Sequence, residues 1–149
     1  DRGMTRVDFY VMDDPDPGQH GELVCRLAEK AWRAGHAVYV RCGDHDAVER
    51  LDTLMWTYKD TAFVPHARVD DRDAESTPIT LGSGDTVPPT HDVLVNLGED
   101  VPAFFSRFER VMETSGADPG SREAARDRYR YYQERGYTLN THKLGAKRG

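Results

Sequence analysis

Val7-Asp8-Phe9-Tyr10-Val11-Met12 is a short run of strand formers, closed by the turn residues Asp13-Asp14-Pro15-Asp16-Pro17-Gly18. From Gln19 to Ala34, Leu23, Leu27 and Ala31 recur at helical spacing, Val24 and Ala28 widen the stripe, and Gly35 stands where a C′ glycine would. Ala37-Val38-Tyr39-Val40 reads as a second strand. Asp44 is placed to cap a second helix carrying Val48, Leu51, Leu54 and Met55. Strand, helix, strand, helix with short connections predicts βαβ units: an α/β, Rossmann-like three-layer domain with a mostly parallel central sheet.

Working outward, 62–66 reads as a brief extended segment and 68–77 as an exposed, acidic loop. Ile79-Thr80-Leu81 is a short strand before a turn at 82–86. Asp92-Val93-Leu94-Val95-Asn96-Leu97 is apolar almost throughout, as a strand inside a sheet must be. Phe104, Phe105, Phe108, Val111 and Met112 predict an amphipathic helix over 101–113, broken by Gly116-Ala117-Asp118-Pro119-Gly120. A last helix runs from Arg122 to Arg135. The 149 residues suit one domain, expected over 4–143 with 1–3 and 144–149 as flexible termini and Met4 as the natural start. Cys25 and Cys42 are too few for a disulfide framework and read as reduced, partly buried residues. No apolar run is long enough to span a membrane, and nothing resembles a signal peptide, so an intracellular protein is expected.

Charge is unevenly spread. The chain has 20 Lys+Arg against 26 Asp+Glu. From Ser121 onward, Arg122, Arg126, Arg128, Arg130, Arg135, Lys143, Lys147 and Arg148 outnumber Glu123, Asp127 and Glu134, a net of +5, so the preceding residues carry −11. Such asymmetry predicts a localised anion-binding end on a body that repels polyanions. Arg126, Tyr129, Arg130 and Gln133 share one helical face, which sets cationic forks beside a flat ring. That face suits a carboxylate carried next to an aromatic side chain, or a phosphate next to a base. A solvated, salt-bridged surface helix is the plainer alternative.

Positive signs of catalysis are missing. Asp13, Asp14 and Asp16 cluster after the first strand, but prolines interrupt any phosphotransfer motif, and a polar turn capping the first helix is favoured. Gly82-Ser83-Gly84 is followed by Pro88 and Pro89, which stop a helix from opening over a phosphate. The six histidines show no metal-ligand spacing. Neither a cofactor nor a metal is expected. Trp32 reads as core. Trp56, Tyr58 and Phe63 fall near a helix end and the following loop, where large rings either cap a core or anchor an interface.

Several stretches stand out together: Phe9-Tyr10 with Met12-Asp13-Asp14, Leu23-Val24-Cys25, Ala31-Trp32-Arg33-Ala34-Gly35, Arg50-Leu51-Asp52, Met55-Trp56, Phe63-Val64-Pro65-His66 and Asp92 to Leu97. Ala125-Arg126-Asp127-Arg128-Tyr129-Arg130 and Gly136 to Thr141 complete the set. In order and spacing it resembles one family, the chi subunit of bacterial DNA polymerase III. The resemblance implies a non-catalytic clamp-loader adaptor, cytoplasmic and nucleoid-associated at replication forks. Such an adaptor binds the acidic, phenylalanine-ended tail of single-stranded-DNA-binding protein and the psi subunit. It implies tail contacts at Arg126, Tyr129, Arg130 and Gly136, and psi contacts at Trp56, Phe63 and Pro65. An accessory helicase is a further implied partner, with direct DNA binding and membrane attachment not expected. Two competing readings are a single-strand binder stacking bases on Tyr129, Tyr131, Tyr132 and Tyr137, and a metal-dependent α/β phosphotransfer enzyme using Asp13 and Asp14.

Overall fold

A computed structural model describes residues 5–13, 16–58, 64–72, 74–86, 88 and 91–144. Its elements are β1 (Arg6–Met12), α1 (Pro17–Arg33), β2 (Val38–Cys42), α2 (His45–Thr57), β3 (His66–Arg68), β4 (Ile79–Ser83), β5 (Val93–Asn96), β6 (Arg110–Ser115), α3 (Pro119–Glu134) and β7 (Thr138–Leu144). The strands form one sheet in the order β3-β4-β2-β5-β6-β1-β7, and every described pair is parallel. Each helix starts on an aspartate: Asp16 accepts from the Gly18 amide, Asp44 from Ala47 and Asp118 from Ser121.

Alternation along the strands divides the core in two. Val38, Val40 and Cys42 of β2, with Val93 and Val95 of β5, pack under α1 and α2. Tyr39, Leu94, Val111, Val7 and Phe9 point the other way, beneath α3 and the β5–β6 connection. Three layers result, as the βαβ pattern predicts. Gly82 lies inside β4 and not in a turn; glycine stands there because the ring of buried Tyr39 occupies the space a side chain would need, and a Cβ would collide with the Tyr39 hydroxyl. Cys42 is likewise the last residue of β2, and burial pushes its thiol up to about 12. Such a group is not a nucleophile.

The helix expected over 101–113 is not formed. After Pro102 the chain makes only a 3-10 turn at Phe105–Arg107, and Arg110–Ser115 is the strand β6, paired with both β5 and β1. Phe104, Phe105 and Phe108 do reach the core, which is why their spacing imitates a helix. Val111 and Met112, however, face opposite sides of the sheet, as strand residues must. The acidic segment at 68–77 is also more ordered than expected. Arg68 ends β3, Ala74 is buried, and Ala74–Ser76 forms a 3-10 turn. Thr138–Leu144 pairs with β1 along all seven residues, so Leu144 belongs to the sheet and not to a terminus.

A polar row crosses the α3 side of the sheet. Arg41, Asn96 and Glu113 are register neighbours on β2, β5 and β6. The Arg41 Nη1 donates to Asn96 Oδ1 (3.0 Å), and Asn96 Nδ2 donates to Glu113 Oε2 (3.0 Å). From α3 above, Arg128 Nε donates to Glu113 Oε1 and the Tyr132 hydroxyl to Oε2, both at 2.7 Å. Burial raises the Glu113 carboxyl above its ordinary value, while Arg128, Tyr132 and Asn96 pull against that shift by favouring the ion. The remaining donors of Arg128 bind the Glu99 and Thr114 carbonyls. Removing either partner strands a charge in the core.

Arg128→Ala should therefore cost about 3–5 kcal/mol in urea denaturation. Arg126→Ala, one turn-face away on the exposed side, should stay within about 0.5 kcal/mol; equal losses would refute the account. A second test concerns Asp8, buried beside Arg110 Nε (2.7 Å), Arg6 Nε (3.5 Å) and His142 Nε2 (3.4 Å). Burial alone would raise its carboxyl, but Arg110, His142 and Arg6 bring it below its ordinary 3.8. A carboxyl depressed on folding stabilises above its unfolded value and loses that contribution as pH falls through the folded one. Thermal melts should show Asp8→Asn narrowing the stability gap between pH 6 and pH 3 relative to the parent chain, and an unchanged gap would exclude Asp8 as a source of acid sensitivity.

Candidate functional site

Helix α3 lies across β6, β1 and β7, and the angle between helix and sheet edge leaves a cleft of about 140 Å³. Its floor is Phe9 and Val11 of β1, Thr141 of β7 and Ser115 of β6; its helix wall is Arg122, Ala125, Arg126 and Tyr129. Register explains the convergence. Phe9 pairs with Thr141, and residues two apart on a strand share a face, so β1 and β7 present the same side to α3. The Tyr129 ring stands 5.3 Å from that of Phe9, tilted by 58°, which makes an aromatic corner. The volume is close to that of the ~150 Å³ apolar cavity known to hold a benzene ring.

The cations differ in what holds them. Arg122 is occupied: it donates to Asp13 Oδ1 (3.0 Å), the Met12 carbonyl and the Ala117 carbonyl. Arg128 is consumed by Glu113 inside the core. Arg130 pairs with Asp127 three residues back, with both side chains more than half exposed. Such a pair contributes little and is readily exchanged for a better partner. Arg135 stacks on the Tyr131 ring with its guanidinium 3.6 Å from the ring centre. The side chain of Arg126 makes no hydrogen bond or ion pair among the described residues, is exposed, and borders the cleft. Of the arginines on α3, Arg126 thus keeps an open guanidinium, with Arg130 one turn further on.

Of the four expected tail-binding residues, Arg126 and Tyr129 line the cleft; Arg130 and Gly136 do not. Gly136 ends α3. Its φ is +82°, its amide donates to the Gln133 carbonyl, and the Tyr137 amide donates to that of Tyr132. This is the double bond pattern of a left-handed helix stop, repeated at Gly35 after α1, and it requires glycine whether or not a ligand approaches. The tyrosines proposed for base stacking are engaged elsewhere. Tyr132 is fully buried against Glu113, and Tyr131 and Tyr137 pack edge-on to Phe105. Phe9, Val11 and Thr141 were not foreseen as site residues, because nothing local in the chain reveals that β7 returns beside β1.

A second surface lies around the end of α2. Trp56 is 54% exposed, and its ring centre is 4.2 Å from that of buried His66. His66 Nδ1 is 2.8 Å from the Val64 carbonyl, and Nε2 lies 3.7 Å from Asp52. Pro65 is exposed next to it; Phe63 lies outside the described residues. Among the described residues, the turn after β1 shows no ligand set. Asp13 is paired with Arg122, Asp16 caps α1, Asp14 is outside the described residues, and no group of three or more metal-ligating side chains occurs among the described residues.

Residues 4–140 match the family described as DNA polymerase III chi subunit, HolC. The chain belongs to this chi family. It is 44% identical over 141 residues to DNA polymerase III subunit chi of Pseudomonas aeruginosa, covering 95% of this chain and 98% of that one. It is 28% identical to the subunit of the same name from Escherichia coli (93% and 97% covered) and 27% identical to that of Haemophilus influenzae (92% and 96%). The family match takes in β1, the whole of α3 and the first part of β7, hence most of the cleft. Among the described residues no helix is long and apolar enough to cross a membrane.

The role of Gly136 in this chi-family chain can be tested separately from binding. Gly136→Ala should cost about 1–2 kcal/mol in thermal or urea unfolding, the strain of a side chain at positive φ. A stability equal to the parent chain would show that the left-handed stop is not needed.

Proposed function

We propose that this chain is a non-catalytic adaptor of the DNA polymerase III clamp loader, joining the tail of single-stranded-DNA-binding protein to the psi subunit. One observation carries the reading of the first contact: an unpaired guanidinium, Arg126, at the rim of an aromatic, phenyl-sized cleft. A peptide ending in an aromatic residue offers both counterparts, a ring for the Phe9–Tyr129 corner and a terminal carboxylate for Arg126. Arg130 stands one turn further on and takes part by exchanging Asp127 for an acidic residue of the tail. Gly136 shapes the helix end next to it. The acidic body disfavours nucleic acid itself as the ligand, and the buried or edge-packed tyrosines supply no row of stacking platforms.

For the psi subunit, the supporting observation is Trp56, a large ring left more than half exposed beside Pro65. The α2–β3 region and the α3–β7 region belong to opposite ends of the seven-strand order. Six interstrand spacings separate the edges by roughly 29 Å. Two partners, or a helicase in place of one of them, fit on such a body without competing. Such an adaptor would work in the cytoplasm, at replication forks.

A peptide ending in Asp-Asp-Phe should bind with micromolar-scale affinity, about −8 kcal/mol. Arg126→Ala should weaken it tenfold or more and Arg130→Ala less, with both effects reduced at high salt. Trp56→Ala and Phe63→Ala should impair psi association and leave the peptide isotherm unchanged. Calorimetry showing Arg126→Ala indistinguishable from the parent would remove the tail assignment.

A further inference from the structure

The floor of the cleft continues onto β7, and that strand carries a cation of its own. Val11 pairs with Lys143 as Phe9 pairs with Thr141. Since Val11 and Thr141 both line the cleft, Lys143 shares their face, two residues beyond Thr141. Its neighbour His142 faces the other side, stacked on Tyr10 at 4.7 Å and bound to Asp8. Lys143 is exposed and its side chain has no hydrogen bond or ion pair among the described residues. Among the described residues, Asp13, whose amide donates to the Leu144 carbonyl, is committed to Arg122. Open cations therefore stand on the helix wall, at Arg126, and on the sheet edge two residues beyond the floor residue Thr141, at Lys143.

We infer that Lys143 forms a second subsite of the cleft, reading an acidic residue that precedes the aromatic terminus of a bound peptide. The inference rests on the peptide reading of the cleft given above. A carboxylate-ended aromatic residue satisfies Arg126 and the Phe9–Tyr129 corner, leaving the chain before it to leave the cleft. The β7 side offers that chain a free ammonium on an otherwise exposed strand with no acidic residue between Thr138 and Leu144. A lysine, unlike an arginine fork, is a mobile point charge, so this subsite selects for negative charge and not for one residue shape. The competing role for Lys143 is protection of an open sheet edge against self-association.

Two peptides separate these roles, one ending Asp-Asp-Phe and one ending Asn-Asn-Phe, each titrated against the parent chain and against Lys143→Ala, Lys143→Arg and Arg126→Ala. Lys143→Ala should weaken the acidic peptide about threefold, the scale of an exposed charge contact. It should leave the Asn peptide unchanged, and Lys143→Arg should restore binding. Equal effects on both peptides, or none on the acidic one while Arg126→Ala still weakens both, would overturn the subsite and leave the cleft intact. Loss of neither upon Arg126→Ala would remove the cleft reading and this inference with it. Concentration-dependent self-association of Lys143→Ala with normal peptide affinity would assign the residue to edge protection and overturn the subsite.

Discussion

The carboxylate of Glu113, fully enclosed between the sheet and α3, sets the geometry of everything around it. It accepts from Arg128 and Tyr132 of the helix and from Asn96 of the neighbouring strand, so the helix cannot slide or roll without breaking charged hydrogen bonds in a dry interior. An apolar interface alone would fix the helix less sharply, because dispersion contacts tolerate small shifts. With α3 pinned at Arg128 and Tyr132, the residues between and before them are placed too. Tyr129 meets Phe9, and Arg126 is left on the outer rim. The opening between Tyr129 and the sheet is a consequence of how the core is locked.

The same network explains why a helix so rich in arginine presents little free charge. The positions 122, 126, 128, 130 and 135 look alike in composition, yet each guanidinium has a different environment. One anchors the turn after β1, one is buried, one pairs within its own helix and one lies on a tyrosine ring. Only Arg126 remains uncommitted among them. One open guanidinium on the helix wall of an apolar cleft is a more selective feature than a broad basic patch, which would attract any polyanion. This supports the proposed recognition of a defined peptide end.

Several errors of sequence reading have one cause. The segment 101–113 has apolar residues spaced as a helix would have them, but its three phenylalanine rings belong to a connection folded over the core, and Val111 and Met112 alternate in a strand. Gly82 looked like part of a turn because glycine is common there; its actual reason is the Tyr39 ring across the strand pair. The importance of Thr141 and Lys143 depended on a pairing between β1 and β7, more than a hundred residues apart in the chain. Local pattern records neighbours in sequence, and these features are set by neighbours in space.

What the chain determined by itself was the class of architecture, the first two helices and the character of α3. Apolar periodicities of two and near 3.6 place β1, α1, β2 and α2, Asp44 marks where α2 begins and Gly35 where α1 stops, whereas α3 begins at Pro119 behind Asp118, inside the stretch read as a break. The pairing of Arg126 with Tyr129 on one face follows from helical spacing alone. Strand order, the identity of β6 and β7, and the division of the arginines into buried, paired and open groups were decided only by tertiary structure. Hydrogen bonding between distant strands chooses the order, and burial decides which charges must find partners.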